Sequence, residues 1–294
     1  MHWRYSGAEN GGCMSAPVPL RLRPLEIGDV LDETFRMYRR NFVVLGGLSV
    51  LFSIPLAAIS GYGYFALFSF AASSATSGNP NDLNNLYASL LPFAVGALIN
   101  LAILPFLYGS VAYAACQAAL GDPVTMWGAI KGAFSRYLQV GAYYILFGLM
   151  ILAFCLFPLW IWIAVGWIAV MPVMFIERTG LIAAMGRSWR LVQNRWWRTF
   201  LILFLMYIVT VVVSLALGAF LYLAQAIMTI FISPFLALAI YEGAVVLASA
   251  LINPIFLIAI VLIYFDLRVR KEALDLFQLA QHVAPEAPPP DAPA

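Results

Sequence analysis

Charge is what this sequence has least of. Only 10% of its 294 residues are Asp, Glu, Lys or Arg and 63% are hydrophobic, where soluble domains carry roughly 25% charged residues. The shortage excludes a soluble globular chain, because no folded core hides that much apolar surface. Histidine is nearly missing: His2 and His282 both stand in polar tails. Metal and acid–base sites draw on His, Cys or paired carboxylates, so the usual material of a catalytic centre is lacking. Cys13, Cys116 and Cys155 show no close spacing. A disulfide is not expected, and they read as small apolar residues. There is neither a phosphate-binding glycine loop nor a G-x-S-x-G turn. The expectation is a chain with no catalytic residues, no cofactor and no metal.

In place of charge there are long apolar runs. Residues 41–81, 83–121, 137–176, 199–241 and 243–265 contain no Asp, Glu, Lys or Arg, and each exceeds the about 20 residues that cross a bilayer as a helix. The run 137–176 has room for two crossings with a turn near Pro158. The expected fold is all-α and polytopic, with six transmembrane helices near 43–68, 89–115, 138–157, 159–176, 199–224 and 245–265. They pair as three hairpins. The stretch "IMTIFISPFLALAIY" at 227–241 is apolar but short and broken by Pro234. It reads as re-entrant, as interfacial or as part of the fifth helix, and a seventh span there would send the C-terminus to the opposite face.

Basic residues settle the topology, since short cytoplasmic loops retain Lys and Arg. All 16 fall on one side of the six-span map, and the segments 69–88, 157–159 and 225–244 on the other side hold none. Both termini are therefore expected in the cytoplasm, with the chain in a bacterial inner (plasma) membrane. "SSATSGNPNDLNN" at 73–85 reads as a flexible external loop.

The densest basic stretch is "GRSWRLVQNRWWRTF", residues 186–200. On a wheel of about 100° per residue, Arg187, Arg190, Asn194, Arg195 and Arg198 take one side, and Trp189, Val192, Trp196 and Phe200 the other. With Trp197 they suggest an interfacial helix whose cationic face meets anionic headgroups while its rings sit at headgroup depth. A nucleic-acid surface is not expected, because the aromatic face is needed for lipid. The pattern recurs in "GDVLDETFRMYRRNF", with Leu31, Phe35, Tyr38 and Phe42 opposite Asp32, Arg36, Arg39 and Arg40. It is weaker in "TMWGAIKGAFSRYLQ". Each would precede one hairpin, so the chain reads as three units. Caps are expected at Asp29, Asp122 and Thr179, and an ion pair between Asp32 and Arg36. Pro105, Pro172 and Pro254 fall in the second, fourth and sixth spans.

The phrases "LRPLEIGDVLDETFRMYRRNF", "FIERTGLIAAMGRSWRLVQNRWWRTF" and "YFDLRVRKEALDL" resemble the bacterial membrane domain that is fused to some glycerophosphoryl diester phosphodiesterases and more often stands alone. The resemblance spans about 20 to 280. In the fused proteins the chemistry belongs to a separate soluble barrel, which these residues do not contain, so the resemblance carries over no catalytic residue. It implies a link to lipid or glycerophosphodiester metabolism.

The functional expectation is a non-catalytic membrane scaffold or partner-binding module, in contact with anionic lipid and with a membrane or cytoplasmic protein of unknown identity. Substituting Arg187, Arg190, Arg195 and Arg198 together should weaken anchoring or partner engagement. The alternative is a small-molecule or lipid transporter, whose mark would be a wide cavity lined by intramembrane polar residues. Asn100, Asn253 and Glu242 are the candidates, with interhelical hydrogen bonding as the simpler role for the asparagines. Residues 1–22 are expected to be a flexible N-terminus, with translation starting at Met14. The transmembrane domain should cover 23–280, and the Pro/Ala-rich 281–294 should be disordered.

Overall fold

The computed structural model describes residues 26–77, 83–152 and 157–283. Among these the regular structure is helical throughout. The elements are α1 (Ile27–Arg40), α2 (Phe42–Ser77), α3 (Leu83–Leu120), α4 (Met126–Phe134), α5 (Tyr137–Leu152), α6 (Phe157–Gly166), α7 (Val170–Ile176), α8 (Leu181–Val192), α9 (Trp196–Met228) and α10 (Pro234–Val283). Five segments are long and apolar enough to cross a membrane: Phe42–Ser73, Leu90–Leu120, Leu159–Ile176, Trp196–Met228 and Pro234–Glu272. Tyr137–Leu149 is apolar but shorter. Expectations for residues 1–25, including the start at Met14, lie outside the described residues, as do those for Cys155 and for the tail beyond Val283.

The hub is α10. At 50 residues and about 1.5 Å per residue it is roughly 75 Å long, more than twice the hydrocarbon thickness of about 30 Å. It packs against α1, α2, α3, α7, α8 and α9. Its stretch from Leu257 to Tyr264 is buried without interruption. Alongside it α2 runs antiparallel, with Gly46 facing Leu251, Ala57 facing Gly243, and Gly61 facing Ala239. Small residues at these crossings let the backbones approach, and close van der Waals packing is what holds helices together in lipid. A Cβ on Gly61 would stand 2.7 Å from the Ala239 carbonyl oxygen.

Residues 227–241 resolve into a turn and a helix start. α9 ends at Met228, and Pro234 is the first residue of α10, where its missing N–H and fixed φ suit the first turn. The Ser233 hydroxyl accepts from Leu236 N–H at 3.3 Å. The stretch is thus neither re-entrant nor an extension of the preceding span. The external loop expected at 73–85 is also shorter than expected, with α2 reaching Ser77 and α3 starting at Leu83.

The three-hairpin expectation holds unevenly. α2 packs along α3 and α9 along α10, but α5 packs on α3, while α6 packs on α8 and α9. α5 reaches α6 and the turn after it through long side chains: the Phe147 and Trp160 rings are 5.8 Å apart, and the Tyr143 hydroxyl meets the Trp167 carbonyl at 3.4 Å. The fourth expected span is not one helix, because the chain turns at Trp167–Ala169 between α6 and α7. Broken backbone at membrane depth needs new partners, and Ser188 supplies them. Its hydroxyl donates to Gly166 O at 2.8 Å and accepts from Ala169 N–H at 3.1 Å.

α1, α4 and α8 each directly precede α2, α5 and α9. Their buried residues are Val30, Thr34, Met37 and Tyr38 on α1, Ala129 and Ala133 on α4, and Ala184, Ser188, Leu191 and Val192 on α8. These faces rest on the bundle, chiefly on α10, α3 and α7 respectively. The expected caps are replaced. Asp29 sits in the first turn of α1 and accepts from Glu26 N–H; Thr125, not Asp122, caps α4 through Gly128 N–H at 3.2 Å; α8 starts after Gly180.

Candidate functional site

The junctions α1/α2, α3/α4, α4/α5, α7/α8 and α8/α9 and the distal part of α10 meet at one end of the bundle, tied by long-range contacts. Arg40 Nη2 reaches Ala118 O at 3.5 Å, Arg136 Nη1 reaches Thr179 O at 2.6 Å, and Lys271 Nζ reaches Arg190 O at 2.7 Å. The last two partners are carbonyls at helix ends or in a loop, which lack intrahelical donors. Every Lys and Arg of the described residues belongs to this end.

Two ionic clusters lie at its centre. In the first, Glu177 after α7 accepts from Arg187 Nε at 3.2 Å and from the Tyr264 hydroxyl at 3.0 Å. Arg187 Nη2 also reaches Glu272 at 3.3 Å. Glu272 accepts from Arg268 Nε at 2.8 Å, and Arg268 Nη1 donates back to the Tyr264 hydroxyl at 3.2 Å. The five groups close a ring across α7, α8 and α10, with two carboxylates matched to two guanidinium groups. In the second cluster the Asp266 carboxylate, 1% exposed, pairs with Arg198 at the start of α9 and with Arg270 Nε at 2.8 Å. A carboxylate so fully withdrawn from solvent is stable as an anion only when paired.

The Arg/Trp stretch is therefore not one amphipathic helix. α8 ends at Val192, Asn194 takes φ 71°, and α9 starts at Trp196. Asparagine tolerates that left-handed conformation better than most residues. Arg187 and Arg198 are ion-paired inside the bundle. The side chains of Arg190 and Arg195 make no ion pair among the described residues. Trp189 lies over Gly166 and meets Trp162 edge-on, ring centroids 4.5 Å apart. Trp196 donates from Nε1 to Trp162 O at 3.1 Å and stacks on Phe200. Of the three tryptophans only Trp197, 77% exposed, faces fully outward. With Trp127, Phe134, Leu138 and Ile182 it forms an exposed apolar rim at the basic end.

On α1 all three arginines are exposed. Arg36 pairs with Glu33 at 3.4 Å rather than with Asp32. The intramembrane candidates do not converge. Asn100 lines a cavity of ≈420 Å³ between α2 and α3 with Ser60 and apolar residues including Ile59 and Phe93. Asn253 and Glu242 lie elsewhere on α10, half-buried. Neither asparagine makes an interhelical hydrogen bond among the described residues. Cys116 is buried and unpaired. No group of three His, Cys, Asp or Glu side chains able to hold a metal occurs among the described residues.

The charge-free runs 137–176 and 243–265 stop just before Glu177 and Asp266, yet the sequence does not show that these two acids organise the site. The available signal is their isolation: each is a lone acid at the end of a long apolar run, facing a surplus of arginine.

Apolar helices of spanning length with ion pairs gathered at one end define a multi-pass helical membrane protein. Residues 142–281 match the family model described as membrane domain of glycerophosphoryl diester phosphodiesterase. The matched stretch contains α8, α9 and both ionic clusters, and it does not include α1. Neither the curated proteins nor the solved structures contain a match to the chain.

Proposed function

We propose that the chain is a non-catalytic membrane scaffold or partner-binding module of the bacterial inner membrane, crossing six times with both termini in the cytoplasm. α1, α4 and α8 rest at the cytoplasmic interface. The observation that carries this reading is the use made of the charged groups. The intramembrane-end acids Glu177, Asp266 and Glu272 are bound to Arg187, Arg198, Arg268 and Arg270, so they are engaged in joining helices and not held ready for proton transfer or metal binding. One-sided basic residues supply the orientation. The exposed rim of Trp127, Phe134, Ile182 and Trp197 suits the headgroup boundary. The matched family's description supports a link to lipid or glycerophosphodiester metabolism. A membrane or cytoplasmic protein would be the partner, and nucleic acid forms no part of this reading.

In proteoliposomes the purified chain should neither hydrolyse glycerophosphodiesters nor move them across the bilayer; turnover of either kind overturns the scaffold reading. The second reading, a small-molecule or lipid transporter, draws on the Asn100 cavity alone. It requires that Asn100→Leu abolish a measured flux.

A further inference from the structure

The cations at the basic end are unequally engaged. Arg187, Arg198, Arg268 and Arg270 are consumed by carboxylates, and Lys271 by a helix-end carbonyl. The arginines of α1 are not. Arg39 has no ion pair or hydrogen bond within the described chain; Arg40 makes one long contact to Ala118 O at 3.5 Å; Arg36 makes a single bridge to Glu33 with its own side chain 74% exposed, and exposed bridges of this kind hold weakly. Arg36, Arg39 and Arg40 nevertheless share one concavity of ≈530 Å³, closed by Phe35 and Asp32. That volume is within the about 300–1,000 Å³ of small-molecule sites.

We infer that this concavity is a binding site for the phosphodiester headgroup of an anionic glycerophospholipid. Three guanidinium groups against the Asp32 carboxylate leave its lining at net +2, and guanidinium presents paired N–H donors that match phosphate oxygens. Its depth suits a lipid. Only Asn41 separates α1 from the apolar α2, so Arg36 stands about 9 Å of helix rise from Phe42, within the headgroup layer. Phe42 and Val43, 46% and 75% exposed, open α2 two and three residues beyond Arg40, and an acyl chain would lie along α2 from there. The phosphate above and the chain below belong to one molecule. The inference rests on the preceding reading only in placing α1 at the membrane surface. Of the two basic stretches that the sequence assigns to the membrane interface, it singles out α1 as the one that holds a lipid.

The test uses the full chain in nanodiscs of mixed phosphatidylethanolamine and phosphatidylglycerol, with retained lipid counted by native mass spectrometry after mild detergent stripping. The wild type should retain phosphatidylglycerol selectively. Arg36→Gln, Arg39→Gln and Arg40→Gln together should lower that affinity on the order of a hundredfold, and Arg39→Gln alone about fivefold, since each basic residue near an anionic surface contributes one such factor. The triple Lys variant should fall between the wild type and the triple Gln variant, keeping the charge but losing the paired donors. Arg190→Gln with Arg195→Gln should leave the tightly held lipid in place. Equal retention by the wild type and the triple Gln variant, both eluting as folded protein, overturns the site. Full displacement by soluble glycerophosphoglycerol or inorganic phosphate assigns it to a free phosphate and overturns the lipid assignment. Nanodiscs expose both faces, so a wrong topology would appear in reporter fusions, and a hidden transport activity in the proteoliposome assays, and both would leave this readout unmoved.

Discussion

Asp266 concentrates the energetic argument at the level of single residues. Removing one partner of a buried pair strands the other charge, at a cost of about 3–5 kcal/mol. Asp266→Asn should therefore lower thermal stability in detergent sharply, while adding Arg198→Gln to it should restore part of the loss, as a double-mutant cycle would show. Ser188→Ala should cost about 1–3 kcal/mol by leaving Ala169 N–H without its acceptor, read in the same melt. Tyr38 adds a pH dependence. Its hydroxyl is bound to Leu251 O at 2.5 Å, and burial pushes the phenol above its usual pKa of 10.0. A group whose folded pKa is raised stabilises fully below its unfolded pKa and loses that contribution as pH climbs beyond it. Stability should thus hold from pH 7 to the unfolded phenol's pKa near 10 and decline above it, with Tyr38→Phe flattening the decline. None of these roles was legible locally: Tyr264 lies 87 residues from Glu177 and Arg198 lies 68 from Asp266, and no window on the sequence joins them.

Elements were easier to read than their junctions. Runs free of charge marked α2, α3, α5, α9 and α10, and arginine with tryptophan marked the short helices before them. Breaks were missed because they depend on neighbours. The turn at Trp167–Ala169 sits in an unbroken apolar run and exists because Ser188 satisfies it. Asn194 looked like one more polar position on a wheel until its φ of 71° separated α8 from α9. The wheel also misjudged which way the short helices face, since Val30, Thr34, Met37 and Ala184 turn toward protein. Close crossings make the sharpest test at this scale. Gly61→Val should pry α2 from α10, because the new side chain meets the Ala239 carbonyl, a backbone atom that cannot step aside; cysteine crosslinking of Ala57 to Gly243 positions would report the separation as lost yield.

At the scale of the whole molecule, composition alone carried most of the answer. So little charge left only a membrane for the chain, and the one-sided placement of Lys and Arg matches the single end where the described basic residues gather. Reporter fusions near residue 80 and near residue 275 should fall on opposite sides of the bilayer; agreement between them would remove the orientation. The combined Arg187, Arg190, Arg195 and Arg198 substitution has a different expected outcome from that suggested by sequence. Two of its four positions are internal ion pairs, so it should lower stability before it affects any surface.

α10 is the hub of the bundle and leaves the ribosome after the nine described helices that precede it. Until residues 234–272 arrive, α1, α2, α3 and α9 lack the rod they lean on, Arg198 lacks its counter-ion Asp266 and the ring around Glu177 and Arg187 stays open. Assembly must wait for α10, with the preceding helices inserted but loosely gathered. A chain stopped after Met228 should enter the membrane and yet be cut readily by protease at loops that the finished protein shields.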